Sequence, residues 1–139
     1  MPSNDGKQIE HVLNRATMKN ILLVEDDTNL IEIVASVLQE QGYAVHQSLS
    51  AEDALRYCES TTPDLIISDV KMGEMDGFTF FEKIHGMARL KSIPFLFITA
   101  LDDPIGVTKA KELGATGYIT KPFDLDAVIQ TIQSIIPGG

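Results

Sequence analysis

Four short segments set chemically capable side chains directly behind apolar runs. Glu25, Asp26 and Asp27 follow NILLV, Asp69 follows LIIS, Thr99 closes PFLFI, and Lys121 follows YIT with Pro122 next. Carboxylates held a few ångströms apart repel one another unless a cation sits among them or a proton is taken up. Oxygen ligands without His or Cys nearby favour Mg²⁺, with Mn²⁺ the alternative. Mg²⁺ keeps several waters and commonly bridges carboxylate to phosphate. A lysine ammonium neutralises a phosphoryl oxygen as a point charge, and a threonine hydroxyl can donate one hydrogen bond to it. In such a set a carboxylate can attack phosphorus to give an aspartyl phosphate. Asp69 is the candidate nucleophile and Glu25, Asp26 and Asp69 are the candidate metal ligands. Alone, Asp69 would be only a turn residue; the chemistry requires that the four segments meet.

The rest of the chain supplies elements that can bring them together. Apolar runs of strand length cover 20–25, 64–69 and 94–99, a shorter one covers 116–120, and 43–47 alternates as an edge strand does. Between them lie helical patterns. Residues 28–41 carry Leu30, Ile31, Val34, Val37 and Leu38 at helical spacing, with Asp27 or Thr28 as N-cap and Gly42 as the stop. Ser50 and Asp53 form a capping-box pattern, with Asp for the usual Glu or Gln, that opens a helix to about residue 60. Residues 77–87 place Phe78, Phe81 and Ile84 on one side. Asp103 and Pro104 are an N-cap and N1 pair for a helix to about residue 113, ended by Gly114. Residues 124–136 carry a strong stripe of Leu125, Val128, Ile129, Ile132 and Ile136.

Five strand-then-helix repeats, with strands apolar on both faces, predict an α/β fold: a doubly wound, five-stranded parallel sheet with helices on both sides. Ligands bind such sheets at the carboxyl ends of the strands, near the switch in winding direction. With strand order 2-1-3-4-5, the first and third strands are neighbours there, and Glu25, Asp26 and Asp69 fall together.

The bulk properties narrow the partners. The chain has 139 residues, 44% apolar and 22% charged, which suits one domain. Its net charge of −9 argues against direct binding to nucleic acid, and no basic run points to an anionic membrane. No apolar stretch approaches a membrane span, and the N-terminus lacks a signal-peptide core. The single Cys58 rules out an internal disulfide and fits a reducing cytosol, so a cytoplasmic protein is expected; Cys58 itself reads as a buried filler. Residues 1–18 read as a flexible extension, with Met18 an alternative natural start, and 19–137 as the domain. His11, His46 and His85 fall in separate segments and suggest no shared site.

The segments ILLVEDD, PDLIISDVKMGEMDG, PFLFITA and YITKPF, in this order, resemble the receiver domain of bacterial two-component response regulators. The resemblance runs from about residue 19 to 136 and implies a flavodoxin-like fold of five strands and five helices. It implies that Asp69 is the phosphoacceptor, that Asp26 holds Mg²⁺ directly and Glu25 through water, and that the Lys71 carbonyl is a further ligand. Thr99 matches the switch hydroxyl, Lys121 the phosphate-contacting lysine with a cis bond to Pro122, and Tyr118 the aromatic that turns inward when Thr99 moves. The implied partners are a histidine kinase or histidine phosphotransfer protein, an unidentified downstream protein, and a second copy through the face of the fourth helix, fifth strand and fifth helix. A stand-alone receiver and a fragment of a larger regulator both fit the ending after the fifth helix.

Two features depart from or qualify the family pattern. Where the family often has proline four residues after the phosphoacceptor, this chain has Gly73, which loosens the loop. In the family the positions two residues beyond the phosphoacceptor and the switch hydroxyl, here Lys71 and Leu101, tune how long the phosphoryl group lasts. Neither is a general base, so the phosphoryl group is expected to last longer than seconds. Two other classes compete. A phosphohydrolase of the haloacid-dehalogenase type would place a second Asp two residues after the nucleophile, where this chain has Lys71. A degenerate receiver that binds constitutively is opposed by the intact set of Glu25, Asp26, Asp69, Thr99 and Lys121.

Overall fold

A computed structural model of the chain describes residues 18–100 and 103–137. The extension expected over residues 1–18 lies, apart from Met18, outside the described residues, as do His11 and Leu101. The strands are β1 (Asn20–Val24), β2 (Ala44–Ser48), β3 (Leu65–Asp69), β4 (Phe95–Ala100) and β5 (Gly117–Lys121). The helices are α1 (Thr28–Glu40), α2 (Ala51–Ser60), α3 (Gly77–His85), α4 (Pro104–Glu112) and α5 (Leu125–Ile135). All strand pairs are parallel and the order is β2-β1-β3-β4-β5, as predicted.

Alternation along the strands sorts the core onto two faces. Ile21, Leu23, Leu65, Ile67, Leu96 and Ile98 pack against Ile31, Val34 and Leu38 of α1 and Val128 and Ile132 of α5. Leu22, Val24, Ile66, Phe95 and Phe97 face α2, α3 and α4. There α3 inserts Phe78, Phe80 and Phe81, whose rings meet Phe95 and Phe97 at centroid distances of 5.0–5.7 Å. Burial of each such ring stabilises by about 1.5–3 kcal/mol. Cys58 is a fully buried filler in this layer.

An acid or a serine caps each helix. Asp27 accepts from the Asn29 and Leu30 amides, Ser50 from Asp53, Asp76 from Thr79, Asp103 from Gly106 and Asp124 from Asp126. Only half of the expected capping box forms, because the Asp53 carboxylate turns to Arg56 at 3.3 Å. β2 starts one residue later than the sequence pattern suggests. Tyr43 is held in the turn after α1, where its amide donates to the Leu38 carbonyl and its hydroxyl donates to the Ile136 carbonyl at 2.8 Å. His46 stacks on Tyr57 at 3.7 Å between ring centroids, on the edge strand, and His85 is exposed.

Candidate functional site

The register sets the site. Val24 pairs with Ser68, so the residues that follow β1 emerge beside Asp69 at the end of β3. One carboxylate oxygen from each of Glu25, Asp26 and Asp69 lies within 4.8 Å of the others. Glu25 is buried, and both its oxygens are engaged: Oε2 accepts from the Asp27 amide at 3.0 Å and Oε1 from Lys121 Nζ at 2.9 Å. Asp26 is exposed. Asp69 is buried; its Oδ2 accepts from Lys121 Nζ at 2.9 Å and its Oδ1 from the Lys71 amide at 3.3 Å.

One ammonium therefore bridges two buried carboxylates. Partial burial of Lys121 pulls its pKa down, but the hydrogen bonds it donates to Glu25 and Asp69, and their charges, overcome this and raise it above 10.5. Asp26 has no such partner. Lost hydration raises its carboxyl pKa above 3.8, and the adjacent Glu25 adds to the rise. This surplus of negative charge is where a divalent cation fits. The donors are hard oxygens, and Asp26 is the exposed one of the three acids, whereas Glu25 and Asp69 each have both oxygens in hydrogen bonds.

Thr99 stands across the pocket. Asp69, Val70, Lys71, Thr99, Ala100, Asp103 and Lys121 line a cavity of about 260 Å³. The Thr99 hydroxyl is buried and has no hydrogen-bond partner. Apart from it, the only buried side-chain oxygen without one among the described residues is that of Ser48, also at the C-terminal end of its strand. A buried hydroxyl without a partner is costly, which points to an acceptor that this pocket receives.

Tyr118 is not among the residues lining this cavity. It pairs in register with Phe97, two residues before Thr99, and its half-buried ring lies under Lys111 Nζ, 5.4 Å from the centroid. Lys71 is exposed, and its backbone amide reaches the site by donating to Asp69 Oδ1. The Lys121-Pro122 bond is cis.

Three positioning residues escaped the sequence reading. The Ser68 hydroxyl donates to the Asp69 carbonyl at 3.0 Å. Gly77 opens α3 against the same carbonyl: a Cβ there would lie 2.2 Å from the Asp69 oxygen, and the Gly77 amide donates to the Val70 carbonyl at 2.8 Å. Gly106 in the first turn of α4 lies against Asp103 and Thr99. A glycine at a helix start was the available signal for Gly77, but it reads equally as a turn.

An acidic cluster, a lysine and a threonine stand at the strand ends of a 2-1-3-4-5 parallel sheet, and the class this defines is a doubly wound, flavodoxin-like α/β domain. The chain belongs to the family of response regulator receiver domains of two-component systems, whose family model matches residues 21–133. It is similar to response regulator protein GraR of Staphylococcus saprophyticus, 34% identical over 116 residues, which are 84% of this chain and 50% of GraR. The chain spans about half the length of the curated relatives it matches. Among solved structures it resembles chemotaxis response regulator CheY4 of Vibrio cholerae. There the TM-score is 0.81 at 32% identity, over 86% of this chain and all of CheY4. It also resembles the receiver domain of a histidine kinase from Syntrophus aciditrophicus, with a TM-score of 0.79 at 36% identity, covering 85% and 89%. No helix among the described residues is long and apolar enough to cross a membrane.

Proposed function

We propose that residues 19–137 act as a phosphorylation switch with Asp69 as phosphoacceptor. An Asp69 carboxylate oxygen attacks the phosphorus of a phosphohistidine on a histidine kinase or phosphotransfer protein. The P–N bond breaks, its electron pair stays on the imidazole, and that nitrogen takes up a proton. Lys121 holds Asp69 in place beforehand and neutralises a phosphoryl oxygen afterwards. Thr99 donates its free hydroxyl to another. Asp26 and Asp69, Glu25 through water, and the Lys71 carbonyl would hold Mg²⁺ or Mn²⁺. Bound there, the cation supplies positive charge against the phosphoryl oxygens. The chain is then a signalling domain that promotes only its own phosphorylation and dephosphorylation.

The observation that carries this reading is the convergence of Glu25, Asp26, Asp69 and Lys121 across from a buried Thr99 hydroxyl that lacks a partner. Movement of Thr99, followed by Tyr118, alters the α4–β5–α5 face. That face binds a downstream protein or a second copy through contacts that differ between the two states. The test is intact mass after incubation with Mg²⁺ and acetyl phosphate. A gain of one phosphoryl group is expected, absent in Asp69→Asn and in EDTA. No gain under any condition would mark the chain as a constitutive binding module.

A further inference from the structure

Helix α4 carries a glycine where a helix former is expected. Gly106 is the third residue of Pro104–Glu112, is buried, and has no positive φ that would demand glycine. A Cβ there would meet Asp103 Oδ2 at 2.5 Å, Asp103 Cγ at 3.0 Å and Thr99 Oγ1 at 3.0 Å. Both oxygens thus crowd the one point that the missing side chain leaves free. The Gly106 amide donates to the other Asp103 oxygen at 2.9 Å, so this acid caps α4 over the glycine. Asp103 and Thr99 also line the cavity that holds Asp69.

We propose that Gly106 is a positioning residue. Its bare Cα, with the Asp103 cap, forms a resting niche for the Thr99 side chain, so that capping of α4 and placement of Thr99 are one linked equilibrium. While Thr99 rests in the niche its hydroxyl has no partner. When a phosphoryl oxygen enters the pocket, the hydroxyl leaves the niche to donate to it, and the α4 cap is free to repack. Crowding the niche raises the population of Thr99 outside it, because whatever destabilises one of two states shifts population to the other. The inference rests on the phosphoacceptor reading for its consequence, and on the local geometry for the niche itself.

The experiment has two readouts on the full chain. The first is the Thr99 χ1 population in unphosphorylated protein, from three-bond couplings. One rotamer is expected in the wild type and a mixture in Gly106→Ala. The second is the rate of labelling by acetyl phosphate with Mg²⁺ in wild type, Gly106→Ala, Thr99→Ala and the double variant. Gly106→Ala is expected to raise the rate threefold or more, and to leave it unchanged in the Thr99→Ala background. An unchanged rotamer overturns the niche. An equal change of rate in both Thr99 backgrounds, or a fall in rate, overturns the coupling. If Gly106→Ala fails to fold, Asp103→Ala, which removes the capping wall of the niche and adds no atom at Gly106, is put through the same two readouts, with a mixture of Thr99 rotamers and a raised rate expected. Should the wild type take up no label at all, the phosphoacceptor reading fails while the rotamer result still decides the niche.

Discussion

β3 is buried at all five of its positions and β5 at one. The helices beside them differ in the same way. α3 buries five of nine residues, three of them Phe, whereas α4 buries two of nine, Gly106 and Ala110. Local opening is easiest where few apolar contacts are buried. The acids of the site therefore stand on the firm half of the sheet, while Thr99, Tyr118 and Lys121 sit on or next to the half that can move. The proposed phosphorylation switch would need this division: the reacting carboxylate must hold still while its neighbours respond to what it carries.

Alanine at Gly77 tests the firm half and should have the largest effect. The backbone oxygen of Asp69, 2.2 Å from the added Cβ, has no room to retreat because Ser68 and the β4 ladder hold that segment. Gly77→Ala should destabilise by about 1–3 kcal/mol, read by urea unfolding, and should slow acetyl phosphate labelling. The same substitution at Gly106 is expected to speed it. Opposite signs from two alanines would establish the contrast; slowing by both would remove it.

Asp26 separates charge repulsion from packing on the firm half. Its carboxyl pKa is raised in the folded state, so between 3.8 and that value the native protein binds more protons than the unfolded chain. Stability therefore falls as pH rises through this window, and the penalty persists at neutral pH. Asp26→Asn should melt higher than wild type in metal-free buffer at pH 7, with the advantage lost below pH 3.8. Wild type should gain about 1.4 kcal/mol at ten times the Kd for Mg²⁺, and Asp26→Asn should gain almost nothing. A lower melting temperature for the variant would show that Asp26 is not in net repulsion.

Gly73 offers a smaller effect. Unlike Gly77, it has nothing within 4 Å of an added Cβ and no positive φ, although both belong to the loop and helix start behind Asp69. Gly73→Ala should stabilise by about 0.4–1 kcal/mol by restricting the unfolded chain, and should tighten Mg²⁺ binding if mobility of the Lys71 carbonyl limits it. Calorimetric titration with Mg²⁺ reads the second effect.

The sequence was most legible where chemistry interrupts an apolar run. Asp69 after LIIS and Lys121 before Pro122 stand out because charge is rare at a buried strand end, and strand order then decides which ends meet. Three of the five helix caps, Asp27 (with Thr28 the alternative), Ser50 and Asp103, were readable as well, since a side-chain oxygen two or three residues before an amide is a local matter, whereas Asp76 and Asp124 were not singled out. Ser68, Gly77 and Gly106 were not readable, because their roles depend on close approach by a segment that sequence spacing does not reveal. Tyr43 misled as a strand residue for the same reason: its partner is the Ile136 carbonyl, 93 residues along the chain. Tyr118 was marked by resemblance alone, and its contact with Lys111 comes only from how α4 lies on β5.

That contact gives the smallest expected effect and the finest probe of the mobile half. The Lys111 ammonium stands 5.4 Å from the Tyr118 ring centroid, on an exposed helix face. At exposed sites such a pair is worth about 0.5–1 kcal/mol, or a two- to fivefold bias between ring positions. Lys111→Gln keeps most of the length and removes the charge; Lys111→Arg keeps both. Glutamine should raise the fraction of Tyr118 rings away from α4 in the unphosphorylated protein, measured by side-chain couplings, and arginine should not. If Thr99 and Tyr118 move as one, the glutamine variant should also increase the departure of Thr99 from the Gly106 niche. A change confined to Tyr118 would mean that Tyr118 and Thr99 move independently.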